Sequence, residues 1–455
     1  MAELLSIILA AGDGTRMRSA TPKLLHPVGG LPIIGHVVKA AVTGGSTRVA
    51  MVTAPDHQAL RDQVSALYPE VQFFEQAERK GTAHAASMAK PLWEGATGYV
   101  AVVYGDHPLL SGPIFKLVTD RLDAGMDAAI LGFLPADPTG YGRFITDGER
   151  LLAIREHKDA SEEERKIGLC NACILAFRAP VFAELIGQVG TANAQGEYYL
   201  TDLVELANKA NYKVGYAVAP EADVMGVNDR AQLARAEAQF QELRRDDFMK
   251  AGVTLKDPAS VYFSYDTEIG ADTVIEPHVV FGPGVKIGAG VTIHAFSHIE
   301  GAVIAGGASV GPFARLRPGA DLADNAKVGN FVEIKNAKIG EGAKIPHLTY
   351  VGDAEVGAKS NLGAGTVTCN YDGVNKDRTV IGEGVFVGSN SSLVAPVTLG
   401  DGAYVASGSV ITKDVPPDAL ALGRARQENK AGYATKLRER ALAKKAAKQA
   451  AKGKV

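Results

Sequence analysis

From Ile269 to Ile411 an aliphatic or aromatic residue returns at every sixth position through long runs, and few folds can sustain that spacing. One run reads Ile269, Ile275, Phe281, Ile287, Ile293, Ile299. A second reads Val310, Leu316, Leu322, Val328, Ile334, and a third Ile381, Val387, Leu393, Leu399, Val405, Ile411. A helix repeats about every 3.6 residues and a half-buried strand every second, so neither produces a hexad. A short strand plus a corner does, and stacked hexads wind into a parallel β-helix whose inward residues form one column. Three hexads close a triangular coil, each riding about 4.8 Å above the last. Gly and other small residues after the apolar positions let the backbone turn the corners. Strands of a β-sandwich do not hold one phase over such a length.

The interruptions mark where to look for a site. The step from Ile299 to Val310 is eleven, those from Ile334 to Ile339 and from Val351 to Val356 are five, and that from Leu362 to Ile381 is nineteen. The last contains Cys369 to Lys376, CNYDGVNK, an irregular insert of the kind that projects from a solenoid as a binding loop. His347, in PHLTY, lies beside one short step, with Arg317, Lys335, Tyr350, Asn361, Asn370 and Tyr371 on nearby coils. Residues eighteen apart stack, which predicts Arg317 above Lys335; two stacked cations repel unless an anion separates them.

A chain of 455 residues holds two or more domains. No stretch is apolar enough to span a bilayer, and Leu4 to Ala11 is short and lacks a basic flank, so it reads as a buried strand rather than a secretion signal. Three cysteines imply no disulfide framework and fit a reducing compartment, which makes the expected location cytoplasmic. Cys170 and Cys173 form one CxxC with no second pair, the pattern of buried thiols rather than a zinc site. Net charge is −3, yet Lys430 to Val455 carries nine Lys or Arg against Glu439 alone. Its Ala and Lys content predicts a solvated, partly helical or disordered tail, with no nucleic-acid or membrane partner.

In the N-terminal half, the strand Leu4 to Ala10 runs into Gly12, Asp13, Gly14, Thr15, Arg16. Glycines after a parallel strand let several amide N–H groups aim at one anion, and Arg16 and Lys23 add cationic charge. A second strand, Tyr99 to Tyr104, ends at Gly105 and Asp106, and ligands of open α/β sheets collect at such carboxyl ends. A carboxylate facing a triphosphate calls for a divalent cation between them, which makes Asp106 a candidate magnesium ligand, the alternative being an N-cap for a helix starting near Pro113. Strand and helix signals alternate to about Val227, predicting a doubly wound α/β domain. Asp229 to Lys250 follows as a linker helix with Leu233, Ala236, Phe240 and Leu243 on one stripe.

LAAGDGTRM, Pro22, Lys23, Gln76, Gly81 with Thr82, YGD at Tyr104 to Asp106, GYGR at Gly140 to Arg143, EHKDA at Glu156 to Ala160 and GVN at Gly226 to Asn228 resemble sugar-nucleotide pyrophosphorylases. With the hexads behind them, the chain up to about Asn429 resembles the bacterial bifunctional N-acetylglucosamine-1-phosphate uridyltransferase and glucosamine-1-phosphate acetyltransferase family, the basic tail falling outside the match. The resemblance implies a Rossmann-like nucleotidyltransferase domain over 1–228, a linker helix over 229–252, a left-handed β-helix acetyltransferase domain over 253–424 and a tail over 425–455. It also implies a homotrimer with acetyltransferase sites between subunits, and UDP-N-acetylglucosamine as a cell-wall precursor. A monofunctional pyrophosphorylase with a purely structural solenoid is the alternative.

Carried over by position, the resemblance sets the nucleotide against Leu9, Ala10, Ala11, Gly12, Arg16, Lys23, Gln76, Gly81, Thr82, Tyr104, Gly105 and Asp106. The acetylated sugar would meet Gly142, Glu156, Asn171, Tyr199 and Asn228, and Asp106 with Asn228 would hold Mg2+. Asp13 fills the variable place of the glycine loop, an acid close to where phosphate oxygens would lie. In the solenoid, His347 would be the base that deprotonates the glucosamine amine, and imidazole suits that task near neutral pH. Arg317, Lys335, Tyr350 and Asn361 would hold the sugar phosphate. Ala364, Asn370, Tyr371, Ser389, Ser407 and Arg424 would meet acetyl-CoA.

Overall fold

A computed structural model describes residues 3–452, and the chain forms two compact units, Met1–Gly301 and Ala302–Val455. The first unit is built on a nine-stranded sheet of β1 (Leu4–Ala10), β2 (Ser46–Thr53), β3 (Gln72–Glu75), β4 (Tyr99–Tyr104), β5 (Ala128–Phe133), β6 (Arg143–Asp147), β7 (Arg150–Arg155), β8 (Cys170–Arg178) and β9 (Val214–Ala219). The strands lie in the order β3-β2-β1-β4-β8-β5-β9-β7-β6. β1 is parallel to both β2 and β4, while β8 inserts antiparallel between β4 and β5. β1 and β4 are almost wholly buried because helices cover both faces, and hence they read as continuous apolar runs rather than alternating ones. Their carboxyl ends open side by side, bringing Gly12 and Asp106 to one rim.

Cys170 and Cys173 are free and buried on β8, as their context predicted. Asp229 caps the helix Arg230–Lys250 by accepting from Gln232 N–H at 2.8 Å. The expected apolar stripe of this helix holds for Ala236 and fails at Leu243, which is 40% exposed. Buried Gln241 does the work instead: its amide donates to Phe263 O and accepts from Phe263 N–H, at 2.8 and 2.7 Å, pairing with the backbone as a strand would.

The hexad coils begin in the first unit, where Val274–Ile275 pairs in parallel with Thr292–Ile293 and Val280–Phe281 with His298–Ile299. In the second unit Leu316 lies over Ile334, again eighteen apart, and the inward apolar residues of the three runs are buried apart from half-buried Ile269. A second inward lane runs two residues ahead of the column. It mixes Val and Ala with Ser and Thr, such as Thr273, Ser360, Thr366, Ser391 and Ser409. The hydroxyls of these five bond carbonyls at the coil corners, for example Ser360 to Gly382 O at 2.7 Å, whereas Thr379 Oγ1 in the same lane is buried without a hydrogen-bond partner.

The corners show how the hexad turns. Left-handed backbone recurs at six-residue steps, at Gly284, Gly290, Gly307 and Gly319 but also at Asp272, His278, Phe296, Phe313, Asn325 and Phe331. Positive φ is uncommon for a residue as bulky as Phe, so the coil rather than local preference dictates these corners. Glu333–Ile339 and Tyr350–Val356 are seven-residue strands that run through a corner, and they shorten the coil: Ile334 pairs with Val351, seventeen on. The insert does the opposite, for Leu362 pairs with Val387, twenty-five on. Its tip projects, with Val374 84% exposed. The tail forms the helix Tyr433–Lys452, and its described side chains are exposed.

Candidate active sites

Two adjoining hollows open at the carboxyl ends of β1 and β4. One, of about 280 Å³, is lined by Leu9, Ala10, Ala11, Gly12, Lys23, Gln76, Gly81, Thr82, Tyr104, Gly105 and Asp106. Its walls are tightly built: a Cβ at Gly81, where φ is +110°, would fall 2.5 Å from Tyr198 O, so only glycine fits. Buried Gln76 donates to Gly81 O at 3.1 Å and meets His84 Nδ1 at 3.0 Å, while the Thr82 hydroxyl accepts from Leu200 N–H at 2.8 Å.

The second hollow, of about 690 Å³, is shared by Arg16, Thr82, Tyr104, Asp106, Gly142, Glu156, Asn171, Tyr199 and Asn228. Asn171 Oδ1 is buried with no hydrogen-bond partner, an acceptor that awaits a donor such as a sugar hydroxyl or amide. Glu156 accepts from the Thr201 hydroxyl at 3.1 Å, and burial pushes its carboxyl pKa up against that bond. Gln195 donates to the Tyr199 hydroxyl at 2.9 Å.

The seam between the hollows carries the charge. Lys23 Nζ reaches Asp106 Oδ2 at 2.6 Å and Asn228 Oδ1 at 3.2 Å, and Arg16 donates to the same Asn228 oxygen at 2.8 Å. Thus four residues proposed from separate motifs converge. Burial disfavours the Asp106 carboxylate, but His107 and then Lys23 outweigh it and hold its pKa well below the usual range. His107 Nδ1 stands 2.9 Å from Asp106 Oδ1 without hydrogen-bond alignment.

The donor set fits magnesium. Asp106 and Asn228 oxygens already share one cation, the Lys23 ammonium, and both are hard oxygen ligands. Among the described residues no group of three or more His, Cys, Asp or Glu could hold a metal, so an ion here would take its remaining ligands from phosphate and water.

In the second unit the sugar-phosphate candidates lie on successive coils. Arg317 N–H donates to Ile334 O, which sets Arg317 over Lys335 as the spacing predicted. The expected repulsion is met differently from the sequence reading, because each cation has its own carboxylate. Arg317 pairs with Glu333 at 2.8 Å and Lys335 with Asp353 at 3.7 Å. Exposed His347 pairs in register with Asn330, and their side chains meet at 2.7 Å between Nδ1 and Asn330 Oδ1. An oxygen there requires Nδ1–H as donor, which leaves the Nε2 lone pair free to take a proton. Tyr350 opens the next strand, and Asn361 pairs with Lys344 on the strand that ends at His347.

Ala364, Ser389 and Ser407 form a column one coil apart, tied by Asn390 N–H to Ala364 O and Gly408 N–H to Ser389 O at 2.7 and 2.8 Å. Asn370 bonds Asp353, and Tyr371 lies on the projecting insert, 60% exposed. Arg424 follows Gly423, which accepts from Val410 N–H, and is exposed.

Comparison with known proteins matches residues 6–162 to the MobA-like NTP transferase domain, and residues 266–301 and 378–413 to the bacterial transferase hexapeptide family of six repeats. The bifunctional protein GlmU of Agrobacterium fabrum is 53% identical over 445 residues, covering 98% of both chains. Those of Sinorhizobium fredii and Bartonella quintana are 54% and 47% identical, covering 98% and 97% of this chain. The chain belongs to the GlmU family of bifunctional proteins. Its architecture is accordingly a nucleotidyltransferase domain followed by a left-handed parallel β-helix of hexapeptide repeats. Coverage of 98% also corrects one expectation, since it carries the GlmU match well into the basic tail. Among the described residues no helix is long and apolar enough to cross a membrane.

The motifs missed His107 and Arg79 of the crevice, while Tyr141 and Lys158 lie inside the GYGR and EHKDA motifs without a role of their own. His107 could have been found, since it directly follows the strand-end aspartate. Arg79, three residues past Gln76, carries no such signal; its place beside the glycine loop depends on how β3 and the segment after it run.

Proposed function

We propose that the two sites act in succession on one aminosugar phosphate. The enzyme is a bifunctional transferase that acetylates glucosamine 1-phosphate from acetyl-CoA and couples N-acetylglucosamine 1-phosphate to UTP, yielding UDP-N-acetylglucosamine and pyrophosphate. Residues 1–228 carry the uridylyl site, 229–252 link it to the β-helix of 253–424, and 425–455 form the tail. The work is cytoplasmic, and the assembled form is a homotrimer whose flat coils supply the remaining walls of each acetyl site.

In the crevice a phosphate oxygen of the sugar ester attacks the α-phosphorus of UTP, and the bond from that phosphorus to the bridging oxygen of pyrophosphate breaks. Such chemistry needs alignment and charge neutralisation more than covalent help. Gln76, Gly81 and the Leu9 to Gly12 backbone read the base, Glu156, Asn171, Gly142 and Tyr199 hold the acetylated sugar, and Arg16 and Lys23 take up charge on the phosphates. Bound at Asp106 and Asn228, Mg2+ would neutralise phosphate charge. Lys23, relieved of Asp106, would then be free to turn toward phosphate.

In the solenoid His347 Nε2 takes a proton from the 2-amino group as its nitrogen attacks the thioester carbonyl; the C–S bond breaks and CoA leaves as the thiol after protonation. Arg317, Lys335, Tyr350 and Asn361 hold the sugar phosphate, and the Ala364, Ser389, Ser407 column with Asn370, Tyr371 and Arg424 receives acetyl-CoA.

The observation that carries the crevice reading is the meeting of Arg16, Lys23, Asp106 and Asn228 at one seam. The test is a cross-comparison of two variants. Asp106→Ala should lower pyrophosphate release by ~10³-fold or more and spare thiol release from acetyl-CoA, whereas His347→Ala should do the reverse. A variant that harms both reactions equally, while still folded, would refute the division of labour.

A further inference from the structure

The glycine loop contains an acid where it should welcome a polyanion, and the structure shows what becomes of that charge. Asp13 stands between Gly12 and Gly14, and the guanidinium of Arg79, a residue that lines the smaller hollow, grips it. Arg79 reaches Asp13 Oδ2 at 2.7 Å and Oδ1 at 2.5 Å, and its Nε–H donates to Ala11 O at 2.8 Å. Three contacts thus bind one side chain to the loop, two in the parallel fork that guanidinium and carboxylate favour.

Stability does not explain the pair. Both side chains are about half exposed, 42% and 52%, and exposed ion pairs add little to folding. Its consequence is local instead, because Gly12, Lys23, Gln76, Arg79 and Gly81 line the same hollow. An uncompensated carboxylate in the loop would oppose the triphosphate and offset part of the attraction of Lys23 and Arg16.

We propose that Arg79 is a positioning residue for the nucleotide: it neutralises Asp13 and ties the glycine loop to the wall carrying Gln76 and Gly81, so that a nucleoside triphosphate enters a loop of no net negative charge. The proposal rests on the reading of that loop as the triphosphate cradle. Arg79 acts through Asp13 and need not touch phosphate, which makes the two residues a coupled unit.

The experiment is a double-mutant cycle on the full-length enzyme with UTP as ligand, read by steady-state kinetics and by calorimetry, with acetyl transfer as the folding control. Arg79→Gln should raise KM for UTP by ~10-fold or more with kcat changed less than ~3-fold, and raised salt should shrink that penalty. Asp13→Asn alone should leave KM equal or lower. Asp13→Asn combined with Arg79→Gln should return KM to within ~3-fold of the parent. A double variant as weak as Arg79→Gln would overturn the proposal, since Arg79 would then serve phosphate or loop shape directly. An unchanged KM in Arg79→Gln would overturn it too. Failure of the parent enzyme to bind UTP would instead strike the cradle reading beneath it.

Discussion

The crevice and the outer face of the solenoid both keep cations beside a carboxylate, but the surroundings differ. In the crevice Lys23 is locked at 2.6 Å to Asp106 within a walled cavity, and Asn228 and His107 crowd the same point. On the coils Lys335 stands 3.7 Å from Asp353, and exposed His347 lies on an open wall. Strand ends that converge can enclose a ligand within one chain; stacked coils present a flat ladder and can only flank it. Charge in the first site is therefore strongly coupled, and charge in the second is closer to additive.

The sharpest way to break this contrast is to remove one lysine from each. Lys23→Ala leaves half-buried Asp106 without its ammonium partner and takes away neutralisation of the transferring phosphates. Uridylyl transfer should fall ~10³-fold, mostly in kcat. Lys335→Ala removes one of two stacked cations, and KM for glucosamine 1-phosphate should rise only ~10-fold with kcat little changed. Equal losses in kcat would erase the distinction between an enclosed and a flanking site.

The solenoid is the more legible region in the amino-acid sequence, because one spacing rule fixes its strands, its stacking and the column Ile275 to Ile411. Its corners were not legible. Phe313 and Phe331 adopt left-handed backbone that their own preference disfavours, and the coil imposes it. Nor did the spacing reveal the lane of Ser and Thr inside the coils, since a small hydroxyl residue reads as surface until its carbonyl partner is known. In the crevice, sequence marked Lys23, Asp106 and Asn228 by motif, 83 and 205 residues being the separations that folding closes. It missed Arg79, whose meaning depends on its reaching Asp13, 66 residues away in sequence. Leu243 failed for the converse reason, as a helix stripe predicts a buried face but not where the partner surface ends.

A second contrast concerns how far damage travels. Ile334 lies between Leu316 and Val351 on neighbouring coils, and Val103 between Ile8 and Ile174 in the sheet. Truncating Ile334 to Ala should cost about 2–5 kcal/mol as a cavity, and Val103→Ala somewhat less. Solenoid coils contact only their neighbours, so hydrogen exchange in Ile334→Ala should quicken mainly on the flanking coils. In Val103→Ala it should quicken across the whole nine-stranded sheet. Loss of protection along the entire solenoid from one truncated residue would contradict the nearest-neighbour picture.

The smallest expected effect separates the units by pH. Buried His36 donates from Nε2–H to Val28 O at 2.7 Å, and burial above all pushes its pKa down to about 4 from an ordinary 6.5. Between those values the unfolded chain binds a proton that the folded chain refuses. Stability of the first unit should accordingly fall as pH drops from about 6.5 toward 4, by up to about 3 kcal/mol from this residue. The second unit has His347 alone among histidines, and its Asp353 is depressed instead. Asp353 resists ionic neutralisation in the fold through Asn336, Asn370 and Lys335, against a desolvation that works the other way, so its contribution is lost only as pH falls below the ordinary carboxylate range. Denaturant titrations from pH 7 to pH 4 should show the first unit weakening while the second holds, and His36→Gln should flatten the slope of the first. A slope unchanged in His36→Gln would mean that other groups carry the acid sensitivity.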